Sequence, residues 1–214
     1  MESGESEVST QRIEAFSDGV FAIAITLLIL EIKIPHFPGE ISGEQLKAAL
    51  LGLWPAYLTY VLSFIVVGIY WANHHYIFKL YKRTDHTFNL LNVFFLMCIS
   101  FLPLPTAVIG EYGEHIATQR IAVIFYNLGL LLPAVGWASM WLYASRGYRL
   151  IDRRLAPDFV GFLAKQYKLS VLLYAGALTI SFWSPLMGVA AAVGLTILYL
   201  LPPKKPVYLQ EEAE

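Results

Sequence analysis

The chain has 214 residues, 57% of them hydrophobic and only 14% charged, against about 45–50% apolar and about 25% charged in soluble domains. That composition excludes an ordinary soluble domain, and the 13 Phe, 13 Tyr and five Trp suit membrane interfaces. A net charge of −1 offers no case for nucleic acid, and one cysteine, Cys98, excludes an intrachain disulfide and a Cys-cluster metal site.

Residues 1–11, MESGESEVSTQ, are polar and acidic. They lack the basic n-region and short apolar h-region of a signal peptide, so a retained, partly disordered cytoplasmic N-terminus is expected. Arg12 to Pro35 then reads RIEAFSDGVFAIAITLLILEIKIP. A helix over 13–34 is about 33 Å long at 1.5 Å per residue, enough for a hydrocarbon core of about 30 Å. Five further apolar segments follow at about 48–72, 88–109, 119–144, 166–183 and 185–202. The last two share almost no loop and read as a tight helical hairpin broken at Ser184-Pro185. Pro103 and Pro105 are expected to kink or end the third helix.

The basic residues test this count. With six spans and both termini cytoplasmic, only Lys33, Lys47 and Arg120 of the 15 Lys and Arg fall outside. The positive-inside rule predicts that bias, and five or seven spans would split the basic loops. The fold class is therefore an all-α integral membrane protein of six helices over 12–203, with a cytoplasmic tail at 204–214. Multi-pass insertion in the plasma membrane is expected, with the lipid bilayer as surroundings and no soluble partner indicated. So small a unit favours a symmetric homo-oligomer.

The first helix is two-sided. At about 100° per residue, Ile23, Leu27, Leu30 and Ile34 share one narrow face, with Phe16 and Gly19 on it one to two turns earlier. Thr26 lies about 60° off that face, while Ser17 and Asp18 lie about 120° and 140° away. Repeated around an axis, the stripe makes a hydrophobic constriction; in a single bundle, it is packing against lipid or neighbouring helices. Arg12 and Asp18 likewise have two readings. They are solvated interfacial groups, with Ser17-Asp18 as a helix cap, or they are a functional cluster in the membrane.

The second helix ends in Trp71, Asn73, His74 and His75. Adjacent histidines face different ways and make a poor metal site. Trp71 and the histidines satisfy one another at the interface, or one histidine pairs with Asp18 and Ser17 and titrates near neutrality. Asn92 in the third helix is expected to hydrogen-bond to a neighbouring helix. Val67-Gly68-Ile69-Tyr70 looks like part of a TVGYG filter but lies inside a continuous apolar helix, not in a loop behind a pore helix. No P-loop, nucleophile elbow, HExxH or EF-hand pattern is present.

Arg12-x-x-x-Phe16-Ser17-Asp18-Gly19 at the start of the first of six helices resembles the signature of the endolysosomal-type transmembrane potassium channel family. Trp71 with His74-His75, Asn92, and Phe101-Leu102-Pro103-Leu104-Pro105-Thr106 extend the likeness over the first three helices. The resemblance implies a homotetramer whose central pore is lined by helix 1, permeable to potassium without a TVGYG filter. It implies no cofactor and no enzymatic activity, with K+ as the permeant ion. Carried onto this chain, it makes Ile23, Leu27 and Leu30 the pore constriction and gives Thr26 a part in ion selection. Arg12, Phe16, Ser17, Asp18, Trp71, His74, His75 and Asn92 become the network that ties helix 1 to helices 2 and 3.

Two other function classes stay open at this point. A proton-coupled transporter would use Asp18 and His74 or His75 as a relay, and requires helices interrupted near mid-membrane. An intramembrane enzyme would need a nucleophile, base and orienting group at usable spacing, which the chain does not offer.

Overall fold

A computed structural model describes residues 10–209. Of the N-terminus expected to be partly disordered over residues 1–11, residues 1–9 lie outside the described residues, as does the tail beyond residue 209, whereas Thr10 is the N-cap and Gln11 the first residue of a helix. The described residues form eight α-helices: α1 (Gln11–Leu27), α2 (Gly43–Gly52), α3 (Trp54–Phe78), α4 (His86–Phe101), α5 (Pro103–Tyr112), α6 (Gln119–Ser145), α7 (Pro157–Ser181) and α8 (Pro185–Tyr199). Four stretches are long and apolar enough to cross a membrane: Gln11–Glu31, Trp54–Phe78, His86–Tyr112 and Gln119–Tyr148. The protein is thus an all-α membrane protein. α7 has 25 residues but carries Asp158, Lys165 and Lys168 in its first half, and α8 has only 15.

Several boundaries differ from the sequence expectation. The first helix ends at Leu27, tightens into a 3-10 turn over Leu28–Glu31, and becomes extended at Ile32. Pro35 contributes to this end, because it disfavours helical backbone at Ile34. Ile34 therefore leaves the helix. The apolar run from 48 divides into α2, begun by a Ser42–Gln45 capping box, and α3, which runs on to Phe78. Pro55 sits in the first turn of α3, where a missing N–H costs nothing. His74 and His75, expected at the very end of a segment of about 48–72, thus lie inside α3, about a turn before its end. The third span breaks at Leu102-Pro103, although Leu102 keeps helical angles, so α5 continues α4. α7 begins at Pro157, shortening the basic loop expected over 145–165. The α7–α8 hairpin forms as expected: the Ser184 hydroxyl accepts from Met187 N and Pro185 opens α8.

α6 is the central post, packed against α4, α5, α7 and α8, while α1 packs on α3 and α4. Close approach is set by small residues on α6. A Cβ at Gly136 would meet the Phe95 backbone at 3.1 Å, and one at Gly129 would meet Pro105 Cγ at 2.6 Å. An aromatic core fills the bundle between α3, α4, α6 and α7. Trp137 meets Phe95 and Tyr167 edge-on at 5.4 and 6.0 Å, and Phe78 lies 6.0 Å from Phe88.

At the end of the bundle that carries most basic residues, the loops are joined. Lys82 N donates to Leu150 O and Asp152 N to Leu80 O, at 2.8 and 2.9 Å. Asp152 accepts from Arg154 Nη2 at 2.9 Å and lies 3.5 Å from Lys82 Nζ. The Arg154 hydrogen bonds, with Lys82 nearby, hold the Asp152 carboxyl down at about 2. The C-terminal segment folds back onto the same loop: Ala156 N donates to Val207 O and Leu209 N to Arg154 O.

Candidate functional site

α1 presents two faces about 120° apart. Ser17, Phe21, Ala24 and Leu28 are buried against α3 and α4. Phe16, Ile23, Leu27 and Leu30 form the other face, with Ile23 and Leu30 each 62% exposed and Leu27 41% exposed. Leu27 lies just ahead of the 3-10 turn that contains Leu30, and three residues per turn brings such a pair into line. The exposed apolar row is therefore continuous from the polar end of α1 to Leu30. Thr26 is exposed beside it. Its hydroxyl lies 2.9 Å from both Ala22 O and Ile23 O, so its proton is turned inward and its lone pairs point away from the helix backbone.

The buried face carries the polar network. Asn92 Nδ2 on α4 donates to Ser17 Oγ at 3.0 Å. Asn92 Oδ1 lies 3.4 Å from His74 Nε2 on α3; an amide oxygen only accepts, so the pairing places a proton on Nε2. His74 is held by rings on every side: it stacks on Phe78 at 4.1 Å and takes the edge of Phe21 at 5.5 Å. Asp18 pairs with a different group: Trp71 Nε1 donates to Asp18 Oδ1 at 3.0 Å.

Of the expected network, Ser17, Asp18, Trp71, His74 and Asn92 come together around α1, α3 and α4. Phe16 turns to the exposed face. Arg12 and His75 are exposed, and among the described residues neither joins this network. Neither histidine hydrogen-bonds to Asp18 among the described residues, so the relay of the transporter reading is not assembled. No group of three or more His, Cys, Asp or Glu able to hold a metal occurs among the described residues.

Sequence reasoning missed a second polar knot on the same bundle. Thr106 Oγ1 of α5 lies 2.7 Å from both Ser63 Oγ of α3 and the Leu102 carbonyl, and Ser63 Oγ is 3.2 Å from the Tyr126 hydroxyl of α6. Thr106 entered the sequence reading only as the end of the Phe101–Thr106 run, and hydroxyls on three separate helices give no local signal of one another.

Residues 12–103 match the family model described as "Endosomal/lysosomal potassium channel TMEM175". A potassium channel of Chamaesiphon minutus is 41% identical over 94% of this chain and 98% of its own. The chain belongs to the TMEM175 family. A potassium channel of Streptomyces collinus is 38% identical over 94% of this chain and 96% of its own. The crystal structure of a lysosomal potassium-selective TMEM175 homolog from Chamaesiphon minutus matches with a TM-score of 0.79 at 40% identity, over 89% of this chain and 96% of that one. The endosomal/lysosomal proton channel TMEM175 of Gallus gallus is 39% identical over 75% of this chain but only 32% of its own length. The matched TMEM175 segment contains both faces of α1 and every member of the Ser17–Asn92–His74 and Asp18–Trp71 pairings.

Proposed function

We propose that the chain is a potassium-permeable channel, built as a homotetramer whose four copies of α1 surround the ion path. The observation that carries this is the continuous exposed row Ile23, Leu27 and Leu30 on a helix whose opposite face is buried and polar-locked. On a membrane-spanning helix such a row is covered either by lipid or by the same row of neighbouring copies. Lined up around an axis, it makes a narrow dry neck instead of a carbonyl filter, and ions cross by shedding water there. Thr26 adds four hydroxyls beside that neck. The potassium channels of Chamaesiphon minutus and Streptomyces collinus, which align over nearly their whole length, support the reading.

In this arrangement the chain crosses the plasma membrane six times, with α4 and α5 acting as one span and α7 and α8 as the last two. Both termini are cytoplasmic, which puts the basic loops at 79–83 and 146–154 inside. The Ser17–Asn92–His74 and Asp18–Trp71 pairings sit behind the pore and hold α1 at a fixed rotation. Potassium flux into liposomes tests the reading. Reconstituted protein is expected to pass K+ down its gradient, and folded tetramers that pass no cation would overturn it. Cysteine placed at Leu27 in a Cys98-free background is expected to cross-link between subunits; cross-linking only from the α7 side would remove α1 from the axis.

A further inference from the structure

A cavity of about 360 Å³ lies between α3, α6, α7 and α8. Its inner wall is Val66, Trp137 and Leu163, with the hydroxyls of Ser170 and Tyr174 further along. Along α7 the lining runs from Phe162 to Tyr174, a length of about 18 Å at 1.5 Å per residue. That is close to the depth of one leaflet of a hydrocarbon core about 30 Å thick. Leu169 and Leu173 line it and are exposed, so the slot opens sideways toward lipid.

One end of the slot is finished differently. Pro202, Pro203 and Lys204 close it, at the end of the bundle where the basic loops gather. The Tyr76 hydroxyl donates to the Lys204 carbonyl and fixes that backbone. The Lys204 ammonium stands 4.0 Å over the Phe162 ring, directly at the rim. Among the described residues no carboxylate lies within 4.0 Å of it. Lys205 follows it in the chain. The slot therefore pairs an apolar channel one leaflet deep with positive charge at headgroup height. A free anion has no use for the apolar walls, and a neutral chain has no use for the charge.

We infer that this slot holds one acyl chain of an anionic phospholipid, with the lipid phosphate at Lys204. The exposed leucines admit the chain from the surrounding leaflet, and the ammonium selects the headgroup by charge complementarity.

Lipid retention by the full-length protein tests this without any measurement of ion flux. The purified protein is titrated in detergent with phosphatidylglycerol or phosphatidylcholine and read by native mass spectrometry. Phosphatidylglycerol is expected to be retained at one per chain and in preference to phosphatidylcholine. Leu173→Trp fills the slot and is expected to weaken retention about tenfold; Leu169→Trp serves if that variant does not fold. Lys204→Glu is expected to abolish the preference for phosphatidylglycerol while phosphatidylcholine retention stays unchanged. Equal retention of both lipids by the wild type, or undiminished retention by the Trp variant, would overturn the inference. Thermal stabilisation by soluble glycerol phosphate equal to that by phosphatidylglycerol would do so too, as it assigns Lys204 to a free anion. A change of oligomeric state in the Trp variant with lipid retention unchanged would assign the slot to a second copy.

Discussion

Asn92 Nδ2 donates to Ser17 Oγ across 3.0 Å, joining α4 to the buried face of α1. The same amide meets His74 of α3 through its oxygen. One side chain thus ties together three helices in a region where water is not available to replace a lost bond. Asn92→Ala leaves the Ser17 hydroxyl and the His74 ring without partners. A buried unsatisfied group costs about 1–3 kcal/mol in general, whereas single polar contacts in membrane proteins average nearer 0.6 kcal/mol. Two groups are stranded here, so a loss of about 1–2 kcal/mol is expected. Thermal unfolding in detergent measures it, and an unshifted midpoint would mean that the amide is not a structural tie.

Trp71 and Asp18 sit next to this tie but face outward. Asp18→Asn and Trp71→Phe each replace a charge-assisted hydrogen bond by a weaker one or none. Both are expected to lower the thermal midpoint or the fraction of the proposed tetramer while the K+/Na+ permeability ratio stays the same. Gel filtration compared with reversal potentials under bi-ionic conditions decides it. A changed ratio in intact tetramers would place Asp18 on the ion path.

The neck itself is tested by polarity. Ile23→Asn or Leu27→Asn puts amides where the pore is proposed to be dry, which lowers the cost of bringing water and ions through. Single-channel conductance is expected to rise in both, and Ile23→Ala is expected to raise it by widening alone. Unchanged currents in all three would identify the stripe as packing.

Helix approach is expected to be intolerant of one methyl group on α6. Gly129→Ala sets a Cβ 2.6 Å from Pro105 Cγ, and overpacking of this kind costs about 1–3 kcal/mol. Gly161→Ala on α7 is the matched control, since nothing lies within 4 Å of its added Cβ. There, the better helix propensity of alanine is expected to be neutral or to stabilise by up to about 1 kcal/mol. Equal melting behaviour of the two variants would contradict the packing at α6.

The loop clasp has a defined pH window. Asp152 is held at about 2 by Arg154, below its ordinary 3.8. A carboxyl depressed on folding stabilises the folded state fully above its unfolded value, and that stabilisation fades as pH falls from about 4 toward about 2. Asp152→Asn is expected to lower stability at neutral pH and to flatten this acid limb. Melting curves of both proteins in detergent between pH 6 and pH 2 check it; parallel acid limbs would show that Asp152 is not the titrating group.

Much of this was readable from the residue order. Composition alone required a membrane protein. The 3.6-residue period of α1 separated Ile23, Leu27 and Leu30 from Ser17 and Asp18 before any neighbour was known, because both faces belong to one helix and depend only on its own geometry. The family was legible only as a resemblance, carried by the Arg12-x-x-x-Phe16-Ser17-Asp18-Gly19 signature, which is a local run of residues. The α7–α8 hairpin was legible at Ser184-Pro185, since a cap and a helix-opening proline are local features.

Partners were a different matter. Asp18 takes Trp71 and His74 takes Asn92, a choice set by how far α3 runs, how it is rotated and how deep it sits against α1. Hydropathy began α3 too early because the end of α2, from Ala48 to Leu51, is apolar too, and it stopped short of a helix that carries Trp71 and His74 on to Phe78. The lysine at the slot mouth depends on a tail that folds back through Tyr76 and the 154–156 backbone. Contacts between segments far apart in the chain have no period to betray them. They follow from which surfaces bury best against one another, and only the assembled bundle settles that.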